Sequence, residues 1–419
     1  MHIESEPTRQ LQRAATAARD AARLLARTPA AGRDAGLRAM AAAVRARAPE
    51  ILAANAADLA ASAASAAFRD RLALNPARLE AIAAGLEAVA GLPDPLARDL
   101  GRWTRPNGLA ISRIPAPIGV IGMIYESRPN VGADAAAICL KSGNAVILRG
   151  GSDSVRSATA LNAAITDGLR SAGLPEAAVQ IAPGTDRAYV AAMLGAVGMI
   201  DLIIPRGGKS LVERVQREAR VPVLAHAEGL CHTYVHADAD PDMARKVLAN
   251  AKMRRTGICA ATETLLIDRT IAPSLLPLLV ADLRALDCTF RADPAARTIV
   301  PDLPAATADD FNTEWHDAIL SIAVVDGVET ALTHIAQHGS GHTDAIITND
   351  PTAARQFLQG IDSAVALWNA STQFCDGGEF GFGAEIGIAT GRLHARGPVG
   401  PDQLTTYRYI VEGTGQVRP

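Results

Sequence analysis

The stretch Gly119–Ser152, GVIGMIYESRPNVGADAAAICLKSGNAVILRGGS, decides the architecture. Its aliphatic runs Gly119–Tyr125 and Ala145–Arg149 have the length and continuity of strands buried on both faces, and the alanine-rich segment between them suits a helix. A strand, a crossover helix and a second strand make a unit whose strands run parallel. The pair Gly150-Gly151 then turns the chain into a further helix. Glycines at such a turn let a phosphate approach the backbone, and the helix N-terminus that follows favours its charge.

Outward from this unit the alternation continues. Val179–Ala182 and Met199–Ile204 predict two more strands of the same sheet, and RGGKS at Arg206–Ser210 repeats the glycine turn. A P-loop reading of that turn fails, because the motif needs glycine five residues before Gly208 and Ile203 stands there. Strands near Thr264–Ile267, Leu320–Val325, Asp344–Ile347 and Val365–Asn369 predict a second α/β domain. Before Gly119, the first hundred residues predict a helical layer broken at Pro29, Pro49, Pro76 and Pro93. Pro106-Asn107-Gly108 marks a β-hairpin able to project as an arm, and LTTYRYIV at Leu404–Val411 reads as a strand that pairs with this hairpin or with another subunit.

Composition agrees with an ordered α/β enzyme. Of 419 residues, 49% are hydrophobic and only 4% aromatic, so the core is aliphatic. Lys+Arg 41 against Asp+Glu 44 gives a net charge of −3, too weak a field to hold nucleic acid or an anionic membrane. The opening MHIESEPTRQ lacks the apolar core of a secretory signal, and no run is long enough to span a membrane, so a cytoplasmic protein is expected. The five scattered cysteines form no CxxC pair, so reduced thiols are expected.

One of these thiols sits in a chemical setting. Cys259 follows a basic helix end with Arg254 and Arg255, lies beside Gly257, and precedes a buried strand. Cations there would favour a thiolate able to attack an acyl carbon; a buried structural cysteine is the alternative. Gly381-Phe382-Gly383 does not complete a dinucleotide fingerprint, because Ile386 stands where the last glycine belongs. His334 and His338, with His342 beyond them, have the helical spacing of metal ligands, but Gly339 and Gly341 interrupt the helix, so a solvated helix end and no metal site are predicted.

Taken together, YESRPN (Tyr125–Asn130), KSGNAVILRGG (Lys141–Gly151), IPRGG (Ile204–Gly208), NAST (Asn369–Thr372), the loop Asp376–Glu385 and LHARGP (Leu393–Pro398) resemble the aldehyde dehydrogenase superfamily, and within it the reductases that act on an acyl phosphate. The resemblance runs nearly end to end. It implies an aldehyde dehydrogenase-like α/β fold: a Rossmann-like NADPH-binding domain at 1–102 and 117–227, a catalytic domain at 228–400, and a β-hairpin oligomerisation arm at 103–116 and 401–419. Cys259 takes the nucleophile's place, with Ser127 and Asn130 in the oxyanion loop. Arg149, Gly150, Gly151, Arg206, Gly207, Gly208 and Glu314 fall where the cofactor is held, and Arg128 and Arg255 where substrate is met. His226 aligns with the glutamate that activates water in hydrolytic members, with Glu228 two residues away, and this departure favours a phosphate-linked reductase. The implied reaction is NADPH-dependent reduction of L-glutamyl 5-phosphate in a homo-oligomer able to associate with glutamate 5-kinase. A CoA-acylating dehydrogenase and a non-enzymatic nucleotide-binding protein remain the alternatives.

Overall fold

The computed structural model describes residues 5–63, 66–226 and 228–418. Helices come first: α1 (Glu6–Leu25), α2 (Ala30–Ala46), α3 (Ala48–Ala61), α4 (Ala66–Leu72) and α5 (Pro76–Ala90). The hairpin strands β1 (Arg102–Thr104) and β2 (Ala110–Pro117) lead into β3 (Val120–Tyr125), α6 (Asn130–Lys141), β4 (Ala145–Arg149), α7 (Val155–Ser171), β5 (Val179–Ile181), α8 (Arg187–Leu194), β6 (Leu202–Arg206) and α9 (Lys209–Glu218). Then come β7 (Cys231–Val235), α10 (Pro241–Met253), β8 (Thr262–Asp268), α11 (Ala272–Arg284), β9 (Thr289–Ala292), α12 (Pro294–Ile299) and β10 (Ile319–Val325). The chain closes with α13 (Gly327–His338), β11 (Thr343–Ile347), α14 (Pro351–Gly360), β12 (Val365–Trp368), β13 (Ile388–Ala389), β14 (Gly397–Pro398) and β15 (Thr405–Glu412). Helix starts carry their own signals. Asn75 before Pro76 caps α5 by accepting the Arg78 N–H, and Asp240 before Pro241 caps α10 through Met243.

The chain forms two compact units. The first comprises Met1–Ala225, Gly381–Gly387 and Val399–Pro419. Its sheet has the order β5-β4-β3-β6, with every pairing parallel. The chain therefore builds outward from β3 through β4 and β5, then returns to the other side of β3, which puts a topological switch point between β3 and β6. Ligands of such sheets bind outside the carboxyl ends of the strands at that point. The strands are legible because β3 and β4 are buried almost throughout and made mainly of aliphatic residues. β6 begins at Leu202, later than Met199, because the Asp201 carboxylate turns back to accept the Val120 N–H at 2.7 Å. The terminal strand β15 pairs antiparallel with β2 over its whole length, so the hairpin is its partner within the chain. Tyr407, Tyr409 and Val411 stay exposed on that three-stranded sheet.

The second unit comprises His226–Phe380 and Ile388–Pro398, with an all-parallel sheet of order β12-β11-β7-β8-β10-β9. Two of its strands, β7 and β9, are not foreshadowed by aliphatic runs. β7 is the more instructive, since Cys-His-Thr-Tyr-Val is fully buried between β11 and β8. Its polar side chains are satisfied sideways: His232 Nδ1 lies 2.8 Å from Asp344 Oδ1, and Thr233 Oγ1 lies 2.7 Å from Thr262 Oγ1. Among the described residues, no helix is long and apolar enough to cross a membrane.

Candidate active site

The first unit gathers its predicted residues at the carboxyl ends of β3, β4 and β6. Beyond β3 the chain makes a tight turn in which the Arg128 N–H donates to the Glu126 carbonyl, and buried Ser127 adopts a left-handed φ of 37°. A non-glycine residue held there stores strain of the kind found at functional loops. Asn130 opens α6 and donates through Nδ2 to Asp134 Oδ2 at 2.9 Å. Burial pushes the Asp134 carboxyl up to about 6, against the pull of that bond and of Arg206. Arg128 is exposed.

Arg149, the last residue of β4, donates to the carbonyls of Gly150 and Thr185, both at 2.7 Å, while its buried Nε has no partner among the described residues. Burial and then the neighbouring Arg187 cation pull its guanidinium below the ordinary value. Two repelling cations at a strand end form a site that an anion such as a phosphate relieves. Arg187, first residue of α8 beyond the Pro183-Gly184 turn, was missed by sequence reading because only the fold sets it beside Arg149. The glycines here have packing reasons besides ligand approach: a Cβ on Gly150 would meet the Tyr125 ring at 3.0 Å, and one on Gly151 the Ser127 nitrogen at 3.2 Å. The turn Arg206-Gly207-Gly208 behaves differently from expectation. The Gly208 N–H at the start of α9 donates to Glu126 Oε2 at 2.9 Å, so a pyrophosphate at that helix end competes with a carboxylate already seated there.

In the second unit, half-buried Cys259 lies in the loop between α10 and β8. One ring nitrogen from each of His226 and His342 and the Cys259 sulfur all lie within 4.8 Å of one another. Two imidazoles are thus assembled around this thiol, while Arg254 and Arg255 are exposed. His226 brings to the thiol a group able to accept a proton, because a neutral imidazole is a base. Gly229 is the second contributor missed by sequence reading. Its backbone packs so closely on the Cys259 loop that a Cβ would meet the Cys259 carbonyl oxygen at 2.0 Å. The third is buried Gln373, whose Nε2 donates to the carbonyls of Ala251 at 2.9 Å and Arg255 at 3.3 Å, tying down the helix end before Cys259.

Beneath the same loop, Lys252 Nζ and Glu263 Oε2 meet at 2.6 Å, with side chains 0% and 2% exposed. Burial pushes the Glu263 carboxyl up to about 7, opposed by Lys252. Glu314 is also in this unit, its Oε2 3.2 Å from His316 Nε2. Of the histidines predicted at a solvated helix end, His338 lies at one, part-exposed with Nδ1 2.9 Å from Asn312 Oδ1, whereas His334 and His342 do not. His334 packs edge-on against Phe311 and His232, and burial drives its pKa down to about 3; His338 tilts against it at the end of α13. His342 lies beyond that helix, fully buried, with Cys259.

Comparison with known proteins agrees with this layout. The model of the aldehyde dehydrogenase family matches residues 1–302, and that class of oxidoreductase is the one to which the chain belongs. Its relatives specify the branch. The gamma-glutamyl phosphate reductase of Acidiphilium cryptum is 72% identical over 409 residues, covering 98% of this chain and 97% of that one. That of Gluconobacter oxydans is 76% identical over 330 residues, 79% of this chain and 77% of the relative. The crystal structure of gamma-glutamyl phosphate reductase from Thermotoga maritima superposes with a TM-score of 0.96 at 41% identity, covering 98% of this chain and 100% of that one.

Proposed function

We propose that this chain reduces L-glutamyl 5-phosphate to L-glutamate 5-semialdehyde and phosphate with NADPH, through a thioester on Cys259, as a step of proline synthesis. The observation that carries this reading is the accessible thiol between two imidazoles in a chain so similar to gamma-glutamyl phosphate reductases. An imidazole takes the thiol proton, and the thiolate attacks the acyl carbon. The carbon–oxygen bond to phosphate then breaks, and phosphate leaves with the electron pair. The Cys259 backbone N–H serves the transient oxyanion, and the family resemblance gives the second donor to the Ser127–Asn130 turn.

NADPH would supply the hydride that reduces the thioester carbon; the resulting hemithioacetal oxyanion re-forms its carbonyl and breaks the carbon–sulfur bond, which releases the semialdehyde and returns the Cys259 thiolate. Arg149 and Arg187 hold its extra phosphate as a charge-assisted pair, Gly150 and Gly151 keep the approach open, and Glu314 holds a ribose. Arg128 and Arg255 meet the anionic substrate. The exposed aromatic face of the β1-β2-β15 sheet serves self-association, and the kinase that makes the labile acyl phosphate is the natural protein partner. We place the enzyme in the cytoplasm, with no nucleic-acid or membrane partner. The test is semialdehyde oxidation by the unmodified enzyme at fixed ionic strength. Turnover that requires phosphate supports the reading; an equal rate without phosphate makes the chain a hydrolytic dehydrogenase, with His226 in the water-activating role.

A further inference from the structure

His226, Cys259 and His342 form a donor set that acyl transfer alone does not require. We propose that they constitute a binding site for a thiophilic divalent cation of the zinc class, which captures the Cys259 thiolate and holds the enzyme reversibly inactive. The inhibitory consequence rests on Cys259 being the nucleophile; the binding site itself does not. It departs from the sequence expectation of no metal, which considered His342 only in company with His334 and His338.

The donor chemistry sets the class of ion. One thiolate and two imidazoles suit zinc and its neighbours, and the trio lacks the carboxylates that calcium and magnesium demand. Three protein ligands with a fourth position left to water is the pattern of zinc sites open to solutes. The spacing fits with little movement. Bonds of about 2.0–2.3 Å to a tetrahedral ion place ligand atoms roughly 3.3–3.8 Å apart. The three atoms here already lie within 4.8 Å, so a closure of about 1 Å by side-chain rotation suffices.

The surroundings orient both rings as metal-binding histidines are oriented. His226 Nδ1 lies 2.6 Å from the Ile388 carbonyl oxygen. A carbonyl only accepts, so Nδ1 carries the hydrogen and Nε2 of the neutral ring carries the lone pair. His342 Nδ1 lies 2.9 Å from Thr343 Oγ1, a hydroxyl able to accept in the same way. The ring planes cross at 72° with centroids 5.2 Å apart. Two rival sulfurs are close by: Cys231, 3.6 Å from His342 Nδ1, is fully buried and donates to the Cys259 carbonyl at 3.2 Å, and Cys375 is buried in the apolar cluster that packs against Cys259. Capture of the ion releases one proton from the Cys259 thiol to solvent.

The experiment uses the full-length enzyme, freed of metal by a chelator, and titrates it with Co²⁺ as a spectroscopic stand-in and then with Zn²⁺. One equivalent of Co²⁺ should bind with a thiolate-to-cobalt charge-transfer band. Cys259→Ala should abolish the band and Cys231→Ala should keep it. His226→Gln and His342→Gln should each weaken binding by about tenfold or more. If one histidine variant does not fold, the other decides. Zn²⁺ should block NADP reduction until chelator is added. A band that survives Cys259→Ala, or binding indifferent to the histidine variants, overturns the site. Loss of the band with turnover retained in Cys259→Ala would leave the ion site standing and remove the nucleophile reading; the opposite pattern would do the reverse.

Discussion

The two sheets are buried in different ways. In the first unit β3 and β4 are almost wholly aliphatic, whereas the central β7 of the second unit hides His232 and Thr233 behind Asp344 and Thr262, and a Lys252–Glu263 pair lies beneath the Cys259 loop. Apolar burial is non-directional and tolerates small shifts; buried hydrogen-bonded and charged groups are satisfied in only one arrangement. The sheet beside Cys259 is thus held by directional contacts in its central strand, whereas the first unit keeps its buried polar pairs, such as Lys141–Asp34 and Ser157–Asp58, among its helices and off its sheet strands.

The sharpest way to break that contrast is at Lys252. Lys252→Met leaves Glu263 buried without its cation and should destabilise the protein by about 3–5 kcal/mol in chemical denaturation. In the parent, the folded Glu263 carboxyl is raised from near 4.5 to about 7. Between those values the folded state holds the extra proton, so this group's contribution falls as pH rises through the window. Losing Lys252 raises the folded value further, so the variant's deficit should be larger at pH 8 than at pH 6. An equal deficit at both would mean that the pair is not the cause.

Gly229 tests the same rigidity on catalysis. A methyl there must push the Cys259 carbonyl from 2.0 Å, and misplacing a nucleophile by about 1 Å costs on the order of 100-fold in rate. Gly229→Ala should lower kcat by about that factor while affinity for NADPH, which Gly229 does not touch, holds. A normal kcat would show that the loop yields freely. The smallest effect belongs to the first unit: Arg149→Ala should weaken NADPH by about 1–3 kcal/mol and NADH much less, measured by fluorescence titration. Equal weakening would place the guanidinium away from the phosphate.

This contrast also explains what the sequence disclosed. The parallel sheet around β3 and β4 was legible because aliphatic runs and glycine turns are local signals. β7 was not, since its His232 and Thr233 become strand residues only when Asp344 and Thr262, distant in sequence, arrive to bond them. The same holds for the site. Cys259 announces itself by its neighbours in sequence, but the pairing with His226 and His342, the tight seat at Gly229 and the second cation at Arg187 depend on segments brought together by the fold. The solvated-helix expectation for His334 failed for a related reason, because Phe311 and His232 cover a ring that its own helix pattern leaves outside.

The central claim is that chemistry runs through one sulfur. The direct test is Cys259→Ala, purified free of wild-type enzyme, assayed for phosphate-dependent NADP reduction by the semialdehyde alongside NADPH binding. Turnover should disappear while NADPH binds with unchanged affinity; substantial turnover in the variant would remove Cys259 from the chemistry.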